Sequence, residues 1–400
     1  MEDAAEKTIT TPDFQARGIT DEDVAQAKEL EGVWLRRDVH WPQTTEAISQ
    51  HDIRRWALYS VGDDNPLFID AEYGKKSWWG RTIAPPTFLY SIDSSIAGPG
   101  LPGIQWIHGG SRWYNYLPVE VGDRITARAR VMRVEEKHGK RVPRFIVQVG
   151  ETIYINQRNE VVSRIERDTL RVPRARSGEG FKDAKDPELM KIPRYTAEEI
   201  EEIAHAYLNE ERRGSTVRYW DDVNEGDELP KILKGPLTLV DIMAFYAGRR
   251  QVYNALKLAF LERSRHPKNV YVSPNTGIPI HPAAGHFDVD IAQEVGMGRA
   301  YDQGWMRINW IGHLVTNWCG DAGFVRHLGA RLPVPNMVGD LSTFGGRVTR
   351  KYQEDGEYLV DLECWAMNQN GIKNTDGKAT VRLPSRSADD KYLFKPVWKL

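Results

Sequence analysis

Cysteine is nearly absent from the chain: Cys319 and Cys364 are the whole supply, far apart and in no Cys-x-x-Cys pair. That excludes a disulfide framework and a cysteine-based zinc site, and it fits a reducing compartment. Long hydrophobic runs are missing too. No stretch approaches the roughly 18 apolar residues that a membrane helix needs, and the mean hydropathy is -0.54, so no membrane partner is expected. Neither sign of charge dominates: 54 Lys and Arg against 56 Asp and Glu leave a formal charge of -2 at pH 7. Without a basic block, nucleic acid is not an expected partner. The opening MEDAAEKTIT is acidic and holds no apolar signal core, which makes the cytoplasm the expected location. There is also no Gly-x-Gly-x-x-Gly behind a strand, no Walker loop and no Gly-x-Ser-x-Gly elbow, so dinucleotide, phosphate-loop and serine-hydrolase chemistry lack their motifs. Tryptophan is abundant. Many of the 13 lie in 78–113 and 305–318, where the plain reading is core and the alternative is a pocket or subunit contact.

At 400 residues the chain exceeds one ordinary core and suits two bodies of about 150 to 200 residues. An internal repeat supports two. Pro118, Gly122 and Asp123 in PVEVGD return as Pro335, Gly339 and Asp340 in PNMVGD, 217 residues on, and Arg130-Val131 return as Arg347-Val348 at the same spacing. Upstream, Phe68-Ile69-Asp70 matches His286-Phe287-Asp288 at a spacing of 218, with Gly74 opposite Ala292. The Asp-Ile pairs at 52 and 241 are only 189 apart, so the second copy carries about 29 extra residues, placed within 250–278 as a substrate-facing insertion.

Each copy then runs through the same signals. SQHDIRRWALYSVG (49–62), capped by Ser49 or Asp52, corresponds to LTLVDIMAFYAG (237–248), capped by Thr238, with WDDVNEGDELP (220–230) as the second copy's opening strand and turn. PPTFLYSIDSSIA (85–97) and GWMRINWIGHLVTNWCG (304–320) are the most apolar helices, and RFIVQVGETIYIN (144–156) and EYLVDLECWAMN (357–368) alternate as strands. A buried helix wrapped by a curved antiparallel sheet satisfies this order, giving an α+β fold in each half. The expected divisions are an N-terminal extension 1–30, a first body 31–175, a linker with a polar helix 176–215, a second body 216–385 and a tail 386–400.

VGDDNPLFID (61–70) resembles the Gly-Asp-x-Asn-Pro-x-His signature of MaoC-like hydratases and dehydratases, a hotdog family that includes R-specific enoyl-CoA hydratases; Gly62, Asp63, Asn65 and Pro66 match. IAPPTF (83–88), the paired Pro-x-x-x-Gly-Asp turns and the two-copy length extend the likeness to the double-hotdog members over most of 30–385. The resemblance implies an acyl-CoA hydratase or dehydratase, a hydro-lyase of fatty acid metabolism. It would need no cofactor beyond the CoA of its acyl-CoA substrate, and it would work as a homodimer. In that family the signature Asp and His hold the reacting water, while amides at a helix N-terminus receive the thioester oxygen as enolate charge develops.

This chain departs from that pattern in both copies. Phe68 stands where the first copy's imidazole belongs, and the second keeps His286 and Asp288 but has His281, Ala283 and Ala284 opposite Asp63, Asn65 and Pro66. The favoured base is His286, with Asp288, Asp302 or a residue of the insertion as its carboxylate. An Asp63–His286 dyad is the alternative if the two loops meet. Gln303, Gly304 and Trp305 would supply the oxyanion amides and Tyr301 would orient substrate or water, with packing as its plain alternative. Pro86 and Thr87, in the first copy's IAPPTF, are further substrate-contacting candidates. The bland readings are that Asp-Asn-Pro merely stops a helix, that His108 and His313 are core histidines, and that His281, His286 and Asp288 form no metal site. Two other functions stand beside the first: a hotdog thioesterase using Asp63, and a non-catalytic acyl-CoA-binding partner. A bulky acyl group is expected from the aromatic content and the insertion.

Overall fold

The computed structural model describes residues 17–39, 46–92, 98–139, 142–173, 191–249, 254–265, 270–273, 275–294 and 297–387. Ten strands form one antiparallel sheet. The first copy supplies β1 (Trp34–Val39), β2 (Gln105–Asn115), β3 (Thr126–Lys137), β4 (Phe145–Ile155) and β5 (Val161–Val172). The second supplies β6 (Glu228–Lys234), then, after the two-stranded β7 (Tyr271–Val272) and β8 (Pro279–Ile280), β9 (Phe324–Arg331), β10 (Ser342–Glu354), β11 (Glu357–Asn368) and β12 (Lys373–Arg382). The order is β1-β3-β4-β5-β2-β9-β12-β11-β10-β6. Read outward from the β2–β9 seam, both halves follow the same path, as a tandem hotdog fold requires, with Gly110 opposite Arg331 and Tyr114 opposite His327 across the seam.

The helices are α1 (Asp21–Lys28), α2 (Gln50–Arg55), α3 (Pro66–Ile69), α4 (Ala71–Lys76), α5 (Ala197–Leu208), α6 (Leu239–Gly248), α7 (Leu256–Arg265), α8 (Val289–Glu294) and α9 (Gly304–Cys319). Local chemistry explains why the repeat is visible in the sequence. Asp52 and Asp241 are the third residues of equivalent capping boxes, begun by Ser49 at α2 and Thr238 at α6. The Pro-x-x-x-Gly-Asp turns are equally matched. Gly122 N–H donates to Ile48 O and Gly339 N–H to Leu237 O, and the Asp123 and Asp340 carboxylates accept from Glu120 N and Met337 N. Gly122 and Gly339 adopt φ of 97° and 96°, a region open to glycine at little cost.

Every residue of α9 is buried. At 16 residues it runs for about 24 Å beneath the sheet. Trp305, Ile308, Ile311, Leu314, Val315 and Trp318 all belong to the main core; at about 1.5–3 kcal/mol per large apolar side chain, their burial outweighs the cost of enclosing the helix's polar residues, provided those are paired.

Several expected elements differ. The 49–62 helix divides into α2 and a π-helix, Trp56–Val61, that ends at Gly62 with φ of 70°. In the first copy's central helix only a 3-10 turn, Phe88–Ser91, is described, and 93–97 lie outside the described residues. The opening strand of the second copy starts at Glu228, because Trp220–Asp222 form a 3-10 turn instead. The insertion holds α7 and β7, while most of the linker, 174–190, lies outside the described residues.

The seam is also where a side chain is least tolerated: a Cβ on Gly110 would stand 2.4 Å from Ala330 O. Gly110→Ala is therefore expected to cost about 1–3 kcal/mol, read as a lower urea midpoint; an unchanged midpoint would mean that β2 and β9 separate more easily than their register implies.

Candidate functional site

The signature loop of the first copy begins at Gly62 and turns on its own side chains. Asp63 Oδ1 accepts from Asn65 N at 2.9 Å, and Asn65 Oδ1 accepts from Leu67 N at 3.0 Å, capping α3. In the second copy His281 Nδ1 accepts from Ala283 N at 3.1 Å and caps the 3-10 turn Pro282–His286. His281 thus fills the turn-capping role of Asp63, the residue opposite it in the repeat. The turn is retained in both copies although the carboxylate is not.

Asp63 faces the interior, 1% exposed. It lies 3.6 Å from His313 Nε2 on α9 and 3.7 Å from Arg212 Nη2 in the segment after α5. Glu210 Oε1 is 2.9 Å from the same His313 nitrogen and accepts from Asn317 Nδ2 at 2.8 Å. Lys234 Nζ donates to His313 Nδ1 at 2.8 Å. An ammonium can only donate, so Nδ1 accepts and the ring proton sits on Nε2, facing the two carboxylates. Burial pulls the Lys234 amine below its ordinary range, against the pull of Glu210 and Asp63. Burial works to raise Glu210, but the hydrogen bond from His313 and the positive charge of Lys234 hold it down at about 2. His313 is therefore no plain core histidine: it is the hub of a buried ion cluster that ties the linker to both copies. Asp63 is committed there and is not brought to His286.

Beside this cluster a cavity of about 580 Å³, its open mouth included, is bounded by Asn65, Phe68, Pro86, Leu89, Asn115 and Val325 among others. Among the described residues no Asp, Glu, His, Lys or Arg lines it. It has walls for an apolar group and no acid or base. Thr87 is buried below it and packs towards Gly312 of α9.

The second copy holds the imidazole. His286, part-buried, points Nδ1 at the Tyr301 carbonyl, 3.0 Å away, with the two rings 4.4 Å apart. A carbonyl only accepts, so Nδ1 carries the proton and the Nε2 lone pair is left for chemistry. Burial pushes His286 down to about 4, against the contrary pull of the Tyr301 and Asp302 backbone, so the ring is neutral near pH 7. Two residues after Tyr301 stands Gln303, the N-cap position of α9, whose side chain makes no cap bond but donates to Tyr246 Oη at 2.7 Å. The Gly304 and Trp305 amides consequently have no acceptor within the helix and lie at its positive end. A Cβ on Gly304 would lie 2.6 Å from Leu332 Cδ1 and 2.8 Å from His108 Nδ1, so a larger residue there would displace both side chains.

The carboxylates expected beside His286 are engaged elsewhere. Asp288 Oδ1 accepts from Asp290 N and Ile291 N at 3.0 and 3.1 Å, starting α8. Asp302, 1% exposed, pairs with Arg307 Nε at 2.7 Å, and burial raises its pKa. Tyr246, Glu210 and Lys234 carried no sequence signal, since each works through a partner far along the chain. His108 had one: at the 217 spacing it is the counterpart of Val325, a wall of the first copy's cavity.

A family described as the FAS1-like dehydratase domain region matches residues 39–165. A UPF0336 protein of Streptomyces avermitilis is 31% identical over 108 residues, 25% of this chain and 71% of that protein. An (R)-specific enoyl-CoA hydratase of Aeromonas caviae is 35% identical over 74 residues, 18% of this chain and 55% of the enzyme. Among solved structures, a MaoC-like dehydratase superposes with a TM-score of 0.60 at 16% identity, covering 90% of this chain and 99% of that one. A putative MaoC domain dehydratase from Chloroflexus aurantiacus gives 0.54 at 16% identity, covering 86% and 93%.

The ion cluster sets an acid limit on stability. A carboxylate whose folded pKa is depressed stabilises the fold above its unfolded value, near 4.5, and loses that contribution as pH falls towards the folded value of about 2. Glu210→Gln is expected to cost about a few kcal/mol of stability at most at pH 7, read as a lower urea midpoint, with the gap to wild type narrowing between pH 4.5 and 2. A gap that stays constant over that window would refute the linkage.

Proposed function

The chain belongs to the MaoC-like hotdog dehydratases, and from that premise we propose that it adds water to an enoyl-CoA, or removes it from a 3-hydroxyacyl-CoA, at the second copy's site. The observation that carries this reading is His286: a neutral imidazole, its tautomer set by the Tyr301 carbonyl, beside the uncapped amino end of α9. In the hydration direction His286 Nε2 takes a proton from water as the oxygen bonds to the β carbon. The electron pair of the double bond moves towards the thioester, and the oxygen gathers enolate charge opposite the Gly304 and Trp305 amides. The imidazolium then returns the proton to the α carbon. Atoms and charge balance, and no cofactor beyond the CoA of the substrate is called for. The first copy's cavity, mostly apolar and without an acid or base, supports a binding role for that half.

One observation favours a second reading, a non-catalytic acyl-CoA-binding partner: Asp288 and Asp302 are both engaged away from His286. A thioesterase using Asp63 has less support, because that carboxylate is enclosed by Arg212 and His313.

The test incubates wild type and His286→Ala with short, long and aromatic trans-2-enoyl-CoA esters, following mass gain of water and release of free thiol. Water gain that falls at least about 100-fold in the variant is the expected result. Thiol release points to the thioesterase, and binding without turnover points to the partner subunit. The pH profile gives a further check. A base with a pKa of about 4 is deprotonated above that value, so kcat/KM of the free enzyme should be level around pH 7 and decline only as pH falls through about 4.

A further inference from the structure

The second copy's site contains another imidazole, and it comes from the first copy. His108 lies on β2 beside the seam. Its Nε2 is 2.8 Å from Ser111 Oγ, its ring stacks on Trp305 at 4.2 Å with 34° between planes, and its Nδ1 has no hydrogen-bond partner among the described residues. That nitrogen sits over the first residue of α9, where a Cβ on Gly304 would come within 2.8 Å of it.

The internal symmetry makes the same assignment independently. In the first copy's cavity Pro86 and Val325 are both wall residues, joined by Asn115 Nδ2, which donates to the carbonyls of each. Shifted by the repeat spacings of 218 and 217, that pair becomes Gly304 and His108. His108 therefore stands where a wall of the equivalent site is expected, and the substitution of imidazole for an apolar side chain occurs on the half that keeps His286. Burial, with the Arg167 and Arg307 charges, holds His108 well below the ordinary histidine range. It is a neutral ring at physiological pH, suited to donating a hydrogen bond and not to supplying a full charge.

We propose that His108 is a catalytic residue of the second copy's site, donating an Nδ1–H hydrogen bond to the thioester oxygen alongside the Gly304 and Trp305 amides. For Nδ1 to donate, Ser111 Oγ–H must donate to Nε2, the tautomer that carries the ring proton on Nδ1. The first copy thereby completes the oxyanion site of the second, and neither half is active alone. This inference rests on the hydratase reading above.

The test exploits the difference between the two ring nitrogens. His108→Asn places an amide near Nδ1, His108→Gln places one near Nε2, and His108→Phe keeps the stacking on Trp305 without a donor. Each is assayed for enoyl-CoA hydration once its thermal midpoint matches wild type; if Phe does not fold, the Asn and Gln pair decides. The expected result is a kcat loss of about 100-fold or more in Gln and Phe, KM within a few-fold of wild type, and recovery in Asn to within about 10-fold of wild type. Gln outperforming Asn would assign His108 only the structural bond to Ser111, and wild-type rates in all three would remove it from the reaction; either overturns the proposal. Those outcomes, seen while His286→Ala still abolishes hydration, overturn this inference alone. Absence of hydration in the wild type overturns the underlying reading and this inference with it.

Discussion

The enclosure of α9 is the constraint on which the rest of the molecule depends. A helix with sixteen buried residues has no solvent face on which to leave a polar group, so every polar side chain on it must be met by the protein. Arg307 is met by Asp302 and by the carbonyls of Val334 and Asn374. Asn309 reaches the Ser60 carbonyl in the first copy. His313 and Asn317 are met by Lys234 and by Glu210 from the linker. The partners come from both copies and from the chain between them, which turns one buried helix into the element that joins all three. Removing any single partner leaves an unmatched buried group, usually the most damaging kind of change.

That constraint also accounts for the asymmetry of the two signature loops. A carboxylate at the start of the loop has two uses: its oxygen caps the turn, and its charge can serve chemistry. In the first copy the capping is kept and the charge is absorbed by Arg212 and the His313 cluster. In the second copy the capping passes to the His281 ring. Neither copy needs a free carboxylate to fold, so loss of the acid from the second and of the imidazole from the first leaves the architecture intact. A turn former and a catalytic acid look identical in one sequence, and only the partners separate them.

Much of the fold was readable because it rests on local rules repeated twice. Capping boxes at Ser49 and Thr238, glycines of positive φ at 122 and 339, and strand alternation all leave marks within a few residues. Helix 304–319 was legible for the same reason. The π-helix after Trp56 was not, since its irregularity follows from packing against α6: Ser60 Oγ donates to the Phe245 carbonyl and Arg55 to that of Arg249. The site was half legible. His286, Tyr301, Gln303 and Gly304 lie close in sequence, and the structure sets His286 against the Tyr301 carbonyl just before the head of α9. His108 and Tyr246 arrive from 178 and 40 residues before His286, and the ion cluster around His313 joins four chain segments, so neither could be assembled from spacing alone.

The repeat register supplies what spacing cannot, because two copies of one module serve as a comparison within a single chain. Where both copies keep a residue type, as with the Gly-Asp turns, folding is the sufficient explanation. Where one copy changes it, the change indicates what that half has been released from or given. Phe68 for an imidazole and an apolar cavity release the first half from acid–base work. On the proposed hydratase reading, His286 and a glycine at the head of α9, where the first copy has Phe68 and Pro86, give the second half a base and open amides. On that reading the two halves are specialised in opposite directions while their sheets remain alike. The β2–β9 seam holds a strand of the first copy against the head of α9 in the second, so His108 lies beside Gly304 although the two are far apart in sequence.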